Sequence, residues 1–460
     1  MNKTSTKVTF LAATALTIWS CSTEPSSSSS IRSGAVTTPT FVSSSLEITR
    51  DFLAVGMEKK YNENFTVNEG VGDAWVHGRG QSSGETYLKL AKNDKRAQID
   101  LYYKGSVANQ VTSSVSAGPL GRKTASASTT SQTGLHSVKS VFFDEPGFSL
   151  APNKTNADTT LKITGVSLVN PNGRSAHMGQ SEAWSQAHAK HGEMVAKTNQ
   201  RAKTQLNQRI DRETGKEFSQ PHADYLKKIY KPLIATKQFP GHIRSRSDES
   251  LMTIYSEQPI EAGLREKPVI AETNAVKFYL HEALLNQINV NKYSGKKLTL
   301  AEFKKSIADM MNRTYTPTED DKTQSISFPQ DKIPVEFKFA DSSLTIIVRS
   351  SGYFIDDVRQ PAMDVTVKYA LALTDDGLVK ATRAGEIMVL PPNYRDGDRL
   401  SQRQKDMQGE LRTAYGEEFK PEVISKAFTL PAAWENAGKL VGTKIIAQDG
   451  WLAAAWTLVK

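Results

Sequence analysis

The sequence predicts an α+β fold: two antiparallel-sheet lobes joined by a basic helical segment, the C-terminal lobe being a helix-backed β-meander. Three observations carry this. Runs of alternating apolar and polar residues bounded by turn formers recur in the first third of the chain and again in the last. From about Gln180 to Lys237 the pattern changes to Ala, Gln, Lys and Arg with sparse apolar positions (Met194, Val195, Leu206, Ile210, Phe218), which favours helix. The stretch "PVEFKFADSSLTIIV" alternates Val335, Phe337 and Phe339 against Glu336 and Lys338. It turns at Ala-Asp-Ser-Ser and returns through Leu344, Ile346 and Val348, a hairpin with one buried face.

The elements are taken in chain order. Lys3 and Lys7, without an acidic residue, precede the mostly apolar run Val8 to Trp19, the layout of an export signal over residues 1–20. The run is too short to span a bilayer, which takes about 20 residues, and no later stretch comes close. Ile18-Trp19-Ser20-Cys21 resembles a bacterial lipobox, which makes Cys21, the sole cysteine, the expected lipid attachment point. Trp19 departs from the small or β-branched residue usual there, and the plainer alternative is a secreted protein with an incidental cysteine. Ser22 after the cysteine resembles the outer-membrane sorting pattern. Residues 21–45 are small and polar and are expected to form a flexible tether. With Cys21 acylated, the body has no thiol for a disulfide or a Cys-ligated metal.

Residues 46–178 are expected to form a β-rich lobe. Ile48, Phe52 and Val55 suggest a short docking helix within Leu46 to Tyr61, and "AWVHGRG", "ETYLKLAK", "RAQIDLYYKGSV" and "LHSVKSVFFD" suggest antiparallel strands. "SSVSAGPLGRKTASASTTSQTG" fits either a long loop or extended edge strands. Residues 179–240 are the expected basic connector. Between Trp184 and Lys237 eleven Lys or Arg stand against five Asp or Glu, net +6, with Gly215 and Pro221 expected to interrupt the helix and Pro232 and Pro240 to close it.

Residues 241–460 are expected to form the C-terminal lobe. Val276, Leu280, Ala283, Leu284 and Ile288 make one helical stripe, and Thr299 to Glu302 is a capping box opening a helix with Phe303, Ile307 and Met310 on its apolar face. "MDVTVKYALAL", the turn "TDDG" and "LVKATRAGEIMVLP" extend the meander to about four strands. A helix carrying Leu400, Met407, Leu411 and Tyr415 follows, and a closing hairpin turns at Asp449-Gly450. Trp451 and Trp456 differ by an odd number of positions, so a regular strand sends them to opposite faces; the more apolar set Leu452, Ala454, Trp456 and Leu458 points to Trp456 as the core residue.

At "KSVFFDEPGFSLAP", "FPQDKIPVEFKFADSSLTIIVRS", "PEVISKAFTLPAAWENAGKL" and "IIAQDGWLAAAW" the chain resembles an uncharacterised family of large exported proteins and lipoproteins of planctomycete-type bacteria, from about residue 46 to the end. The resemblance implies an architecture and no chemistry. The amphipathic helix followed by a Phe-rich meander resembles, more weakly, the tubular lipid-binding modules of some envelope lipoproteins.

Several patterns look like chemistry. Gly80-Gln-Ser82-Ser-Gly84 matches G-x-S-x-G, but strands flank it where a hydrolase elbow needs a strand and then a helix, so a hairpin loop is expected. His188 and His191 stand one turn apart, with His177 as a conceivable third ligand; the spacing and the missing adjacent Glu differ from a metalloprotease helix, and a solvated polar face is the expectation. Glu319-Asp320-Asp321 and Asp356-Asp357 lack the spacing of a calcium loop and suggest turns. His281-Glu282 suggests a boundary pair, and no Gly-rich phosphate loop stands at a strand-to-helix junction, so no cofactor is expected.

The net charge of +9 falls to +7 once Lys3 and Lys7 are removed with the signal. In an exported protein this excess favours solubility, anionic lipid or cell-wall polymer over nucleic acid as partner. The leading expectation is therefore a lipid-anchored envelope protein, facing the periplasm from the outer membrane, that binds or scaffolds without catalysis. One alternative is a carrier holding a lipid or other apolar ligand in a groove between the helix bearing Val276, Leu280 and Leu284 and the sheet face of Phe337, Phe339 and Ile346. Another is a hydrolase of envelope polymer, which needs a cleft with convergent carboxylates or a Ser/His pair.

Overall fold

The computed structural model describes residues 40–460 apart from 72–73, 118–122, 171–173, 177–178, 236, 238, 260–264, 311–314, 429 and 431–437. Cys21, His177 and the Leu430-to-Lys439 stretch around Trp434 thus lie wholly or largely outside the described residues.

The fold is α+β, and its sheets are antiparallel. Strand β1 (Thr40–Thr49) runs into helix α1 (Arg50–Met57). Five long or edge strands follow, β2 (Lys59–Val71), β3 (Ala74–Leu90), β4 (Ala97–Ala117), β5 (Lys123–Asp144) and the short β6 (Gly147–Leu150), then β7 (Lys154–Val169). They form one sheet in the order β2-β3-β4-β5, with β6 and β7 pairing successive parts of β5. Helices α2 (Gln180–Ala189) and α3 (His191–Tyr225) and a π-helical stretch, Leu226–Ile234, come next.

A second sheet draws its strands from distant parts of the chain. β8 (His242–Ser247), β9 (Leu251–Pro259) and β10 (Val276–His281) join β1 and the closing hairpin β21 (Lys439–Gln448) and β22 (Trp451–Val459) in the order β21-β22-β10-β1-β9-β8. Residues of this central sheet enter both large cores, that of the first sheet and that of the C-terminal part. The central sheet shares a core with the first sheet, where Leu88, Ile99, Val141 and Phe143 meet Ile48, Phe52, Val276 and Trp456. Two buried serines on β8 complete the joint. The Ser245 hydroxyl accepts from Ala97 N–H (2.8 Å) and donates to the Phe143 carbonyl, and that of Ser247 accepts from Gln98 N–H (2.9 Å) and donates to the Ala91 carbonyl (2.6 Å).

The C-terminal part holds α4 (Glu282–Tyr293), β11 (Lys297–Thr299), α5 (Leu300–Met310), α6 (Glu319–Thr323) and β12 (Gln324–Ser327). Its main sheet comprises β13 (Val335–Ala340), β14 (Ser343–Val348), β17 (Asp364–Leu373), β18 (Val379–Arg383) and β20 (Glu422–Ile424), with β19 (Met388–Leu390) on β17. The hairpin β15 (Gly352–Ile355) and β16 (Val358–Gln360) leaves this meander to pair with β12. Helix α7 (Gln402–Glu418) buries Met407, Leu411 and Tyr415, as the sequence predicts, but starts after Leu400, which the sequence places on it. The predicted capping box is present: Thr299 N–H donates to Glu302 (2.9 Å) and Glu302 N–H to the Thr299 hydroxyl (3.2 Å). Asp341-Ser342, Asp356-Asp357 and Asp449-Gly450 all have positive φ, the backbone that two-residue hairpin turns require.

Several expectations are corrected. The tether does not reach residue 45: β1 begins at Thr40, and Ser43, Ser44 and Ser45 are buried. A polar run can be a central strand because the Ser43 and Ser44 hydroxyls pair with that of Ser256 at 2.9 and 2.7 Å. The docking helix is shorter than predicted, because Ile48 belongs to β1 and Thr49 caps α1. Gly80 to Gly84 is not a hairpin loop but the middle of β3. Gly215 and Pro221 lie within α3, and Pro232 lies inside the π-helical stretch; packing of Phe218, Pro221 and Tyr225 into the core overrides their local preference. Glu319 to Asp321 is not a turn but part of α6, where Asp321 forms a capping box with Thr318. Trp456 is not the only core tryptophan. Trp451 is 1% exposed and Trp456 7%, because both faces of the central sheet are covered.

Candidate functional site

The first sheet curls around α3. On one edge, Lys59, Tyr61, Glu63 and Glu69 of β2 bond Glu217, Glu213, Arg209 and Arg201 of the helix. On the other, Thr155 of β7 donates to Asn207, and His191 bonds the Leu161 carbonyl (2.9 Å). A sheet whose two edges meet one helix encloses a tube, with α3 closing the side. The helix is long enough because its residues are strong helix formers, and Leu206, Phe218 and Tyr225 give it a buried stripe.

The wall can curl this sharply because glycines occupy its inner face. Gly84 and Gly105 stand opposite each other in register, and a Cβ on either would come within 3 Å of a cross-strand carbonyl oxygen. At Gly80 a Cβ would stand 2.2 Å from Asn109 Oδ1 and 2.4 Å from a Phe65 ring carbon. The G-x-S-x-G match is thus a bend in a tube wall, and its context supplies no nucleophile elbow.

The tube has two unlike halves. Near the central sheet it is filled by the large shared core. Farther along, Tyr103, Leu135 and Leu206 form a small cluster with Tyr61, Val107, Ala202 and Ile210 around it. Beyond that, the inward-pointing residues of β3 and β4 are short: Ala74, Val76, Gly78, Gly80 and Ser82, then Asn109, Val111 and Ser113. All are only half-buried, whereas Leu161, Val166 and Leu168 on the β7 side are buried. The inner face along β3 and β4 is therefore an incompletely filled trough, with Phe65 of β2 resting over Gly80. The side-chain oxygens of Asn109 and of Asn199, on α3, are buried without a hydrogen-bond partner.

Electrostatics follow from this enclosure. Lys139, on the inner face, is 4% exposed and bonds Asp211. Burial, then the Glu213 carboxylate, pushes the Tyr61 hydroxyl up to about 12. The Arg209 guanidinium lies 4.5 Å from the Tyr61 ring and carries two bonds to Glu63, at 2.9 and 3.1 Å.

The groove residues expected from the sequence are placed differently. Val276 and Leu280 lie on β10, Leu284 on α4, Phe337 and Phe339 on β13 and Ile346 on β14. Val276 and Leu284 enter the core shared with the first sheet. Phe337, Phe339 and Ile346 enter the C-terminal core, and Leu280 touches both. Helix and sheet are stitched where a groove was expected. Asn286 accepts from Phe337 N–H (2.7 Å) and donates to its carbonyl (3.1 Å), Asn289 donates to the Val335 carbonyl (2.7 Å), and Glu282 accepts from Phe339 N–H (2.7 Å). Side chains of α4 thereby pair the edge of β13 as a neighbouring strand would.

His281 caps α4, its Nδ1 accepting from Ala283 N–H (3.1 Å), and burial lowers its pKa to about 4. His188 stacks on Trp184 at the end of α2, while His191 opens α3 and bonds Leu161. Among the described residues no group of three or more His, Cys, Asp or Glu is placed to hold a metal ion, and no helix is long and apolar enough to cross a membrane.

Sequence reasoning missed the trough. The available signal was the alternation of Gly, Ser and Ala with polar residues over "AWVHGRGQSSG", which is unusual for a strand unless its inner face must stay shallow.

No family model and no curated protein matches the chain. Among solved structures, one titled as a lipopolysaccharide binding protein aligns over 91% of this chain and 99% of its own, with a TM-score of 0.34 and 10% identity. P47 of Clostridium botulinum E1 aligns over the same shares with a TM-score of 0.25 and 6% identity. At these scores neither similarity bears on what this chain binds.

Proposed function

We propose that this chain is a non-catalytic binding protein that holds the apolar part of a lipid in the trough between α3 and the inner face of β3 and β4. The observation that carries the reading is the trough itself: inward-pointing short side chains, apolar at Ala74, Val76 and Val111 among glycines and serines, that the protein covers only in part, with the carboxamide oxygens of Asn109 on its wall and Asn199 on α3 buried without a partner. Apolar wall and a few oriented polar groups are what a lipid site needs. The carboxamides favour a ligand with hydrogen-bond donors near its head. Cys21, acylated, tethers the protein to the envelope through a linker ending near residue 39. The excess positive charge adds attraction to anionic lipid.

The test is mass spectrometry of lipid extracted from purified full-length protein and from Val111→Trp, which fills the trough. The expected result is bound lipid in the native chain and its loss in the variant, at unchanged far-UV circular dichroism. Protein that carries no lipid and takes none up from vesicles would overturn the reading. Separately, Cys21→Ser is expected to move the folded chain out of the membrane fraction; retention would count against the anchor.

A further inference from the structure

We propose that the seam between β2 and α3 is the door to this trough and that the ion pairs across it are the latch, an inference that rests on the ligand reading above. The two edges of the curled sheet are fastened in different ways. On the β7 side Leu161, Val166 and Leu168 are buried, and His191 and Gln180 bond backbone carbonyls of the strand. On the β2 side every hydrogen bond to the helix among the described residues joins two side chains. No residue of β2 whose exposure is described is buried. The pairs Glu63–Arg209, Glu69–Arg201 and Lys59–Glu217 are partly exposed, with 24–55% of their side-chain surfaces accessible. Exposed pairs of this kind hold weakly and are screened by salt.

Phe65 stands directly behind the latch. It is 38% exposed, and its ring occupies the space over Gly80 that a Cβ there would need. When β2 swings from the helix, Phe65 leaves with it and uncovers Gly80 and Asn109, the middle of the trough. Opening breaks side-chain contacts and leaves the β2–β3 ladder intact. A lipid can thus pass sideways, without threading the tube from an end.

The test uses full-length chain with Cys21→Ser, which removes the sole native thiol. Glu63→Cys with Arg209→Cys is joined across the seam by a short bismaleimide containing a disulfide. The control, Thr155→Cys with Asn207→Cys, is joined across the other edge. Uptake of fluorescent phosphatidylglycerol from phosphatidylglycerol and phosphatidylethanolamine vesicles is followed in time, with circular dichroism checking each fold. Joining the β2 seam is expected to slow uptake about tenfold or more, reduction to restore it, and the control to change little. Without cross-links, Glu63→Gln with Glu69→Gln is expected to speed uptake by roughly three- to tenfold at low salt and to lose the acceleration that salt gives the native chain. Uptake that ignores the β2 cross-link overturns the door alone. Absence of uptake by the unjoined chain overturns the ligand reading and the door with it.

Discussion

His281→Asn makes the most quantitative test of how the central sheet meets α4. Asparagine is a strong N-cap, so the variant keeps an acceptor for the first turn while losing the titrating ring. In the native chain Nδ1 must be unprotonated to accept from Ala283 N–H, and burial lowers the pKa from 6.5 to about 4. The unfolded chain therefore takes up a proton that the folded one refuses. Stability from this group is complete above about pH 6.5, declines as pH falls and reaches its floor below about 4. At pH 4.5 the deficit amounts to about 2.5 kcal/mol, at about 1.36 kcal/mol per unit. Glu282, raised by burial, titrates nearby, but it is present in both chains and largely drops out of their difference. At pH 7.5 the variant should be less stable by about 1–2 kcal/mol, since the imidazole packs edge-on against Phe41 (5.2 Å) and Trp451 (4.9 Å). At pH 4.5 it should match or exceed the native chain. Urea unfolding at both pH values reads the swing. A native-minus-variant difference that stays constant between them would refute the neutral, buried cap.

Trp451→Ala and Trp456→Ala should each cost about 3–5 kcal/mol in urea unfolding, because each is buried on its own face of β22; a negligible cost at Trp451 would mean that face is open. Asn286→Leu should cost about 2–4 kcal/mol by leaving two backbone groups of Phe337 buried and unpaired, and a neutral result would show that α4 does not substitute for a strand. Burial raises the Asp321 carboxyl, but bonds from Lys304, Tyr315 and Thr318 outweigh it and hold the group well below the usual range. Its stabilisation is present at neutral pH and lost in acid, so Lys304→Met should destabilise by about 3 kcal/mol at pH 7 and progressively less as Asp321 protonates. A pH-independent cost would remove the ion pair from the account.

Local signals in the sequence survived wherever one rule acted alone. The alternation around Phe337, the Thr299 capping box and the Asp449-Gly450 turn each depend on neighbours a few residues away, and each stands where expected. Val276 and Leu280 were misplaced because a spacing of four also fits a strand that runs into a helix, and only the His281 cap marks the boundary. Ser43 and Ser44 read as tether because the partner of their hydroxyls, Ser256, stands more than two hundred positions away. The basic segment read as a connector because the acids that answer its arginines, Glu63 and Glu69, stand on a strand far earlier in the chain. The candidate site was invisible for a related reason: a trough is made by what β3, β4 and a helix far along the chain leave unfilled.

At three places this fold ends a sheet with side chains where a further strand would otherwise pair, and burial separates their roles. Ser245 and Ser247 fasten β8 to the first sheet, and Asn286 and Asn289 fasten α4 to β13; all four are at least nine-tenths buried, so breaking those joints strands polar groups away from water. The third joint, along β2, is made mostly of charged side chains that water already reaches, with the half-buried Tyr61 among them. Parting it exchanges one hydrated state for another, at little cost per pair. The first two are the costly joints to break, and the third, the proposed door, is the cheapest. The proposed lipid entry fits that distribution, since the Glu63–Arg209 and Glu69–Arg201 pairs lie along the half-covered stretch of the tube wall while Lys59–Glu217 stands at its packed end.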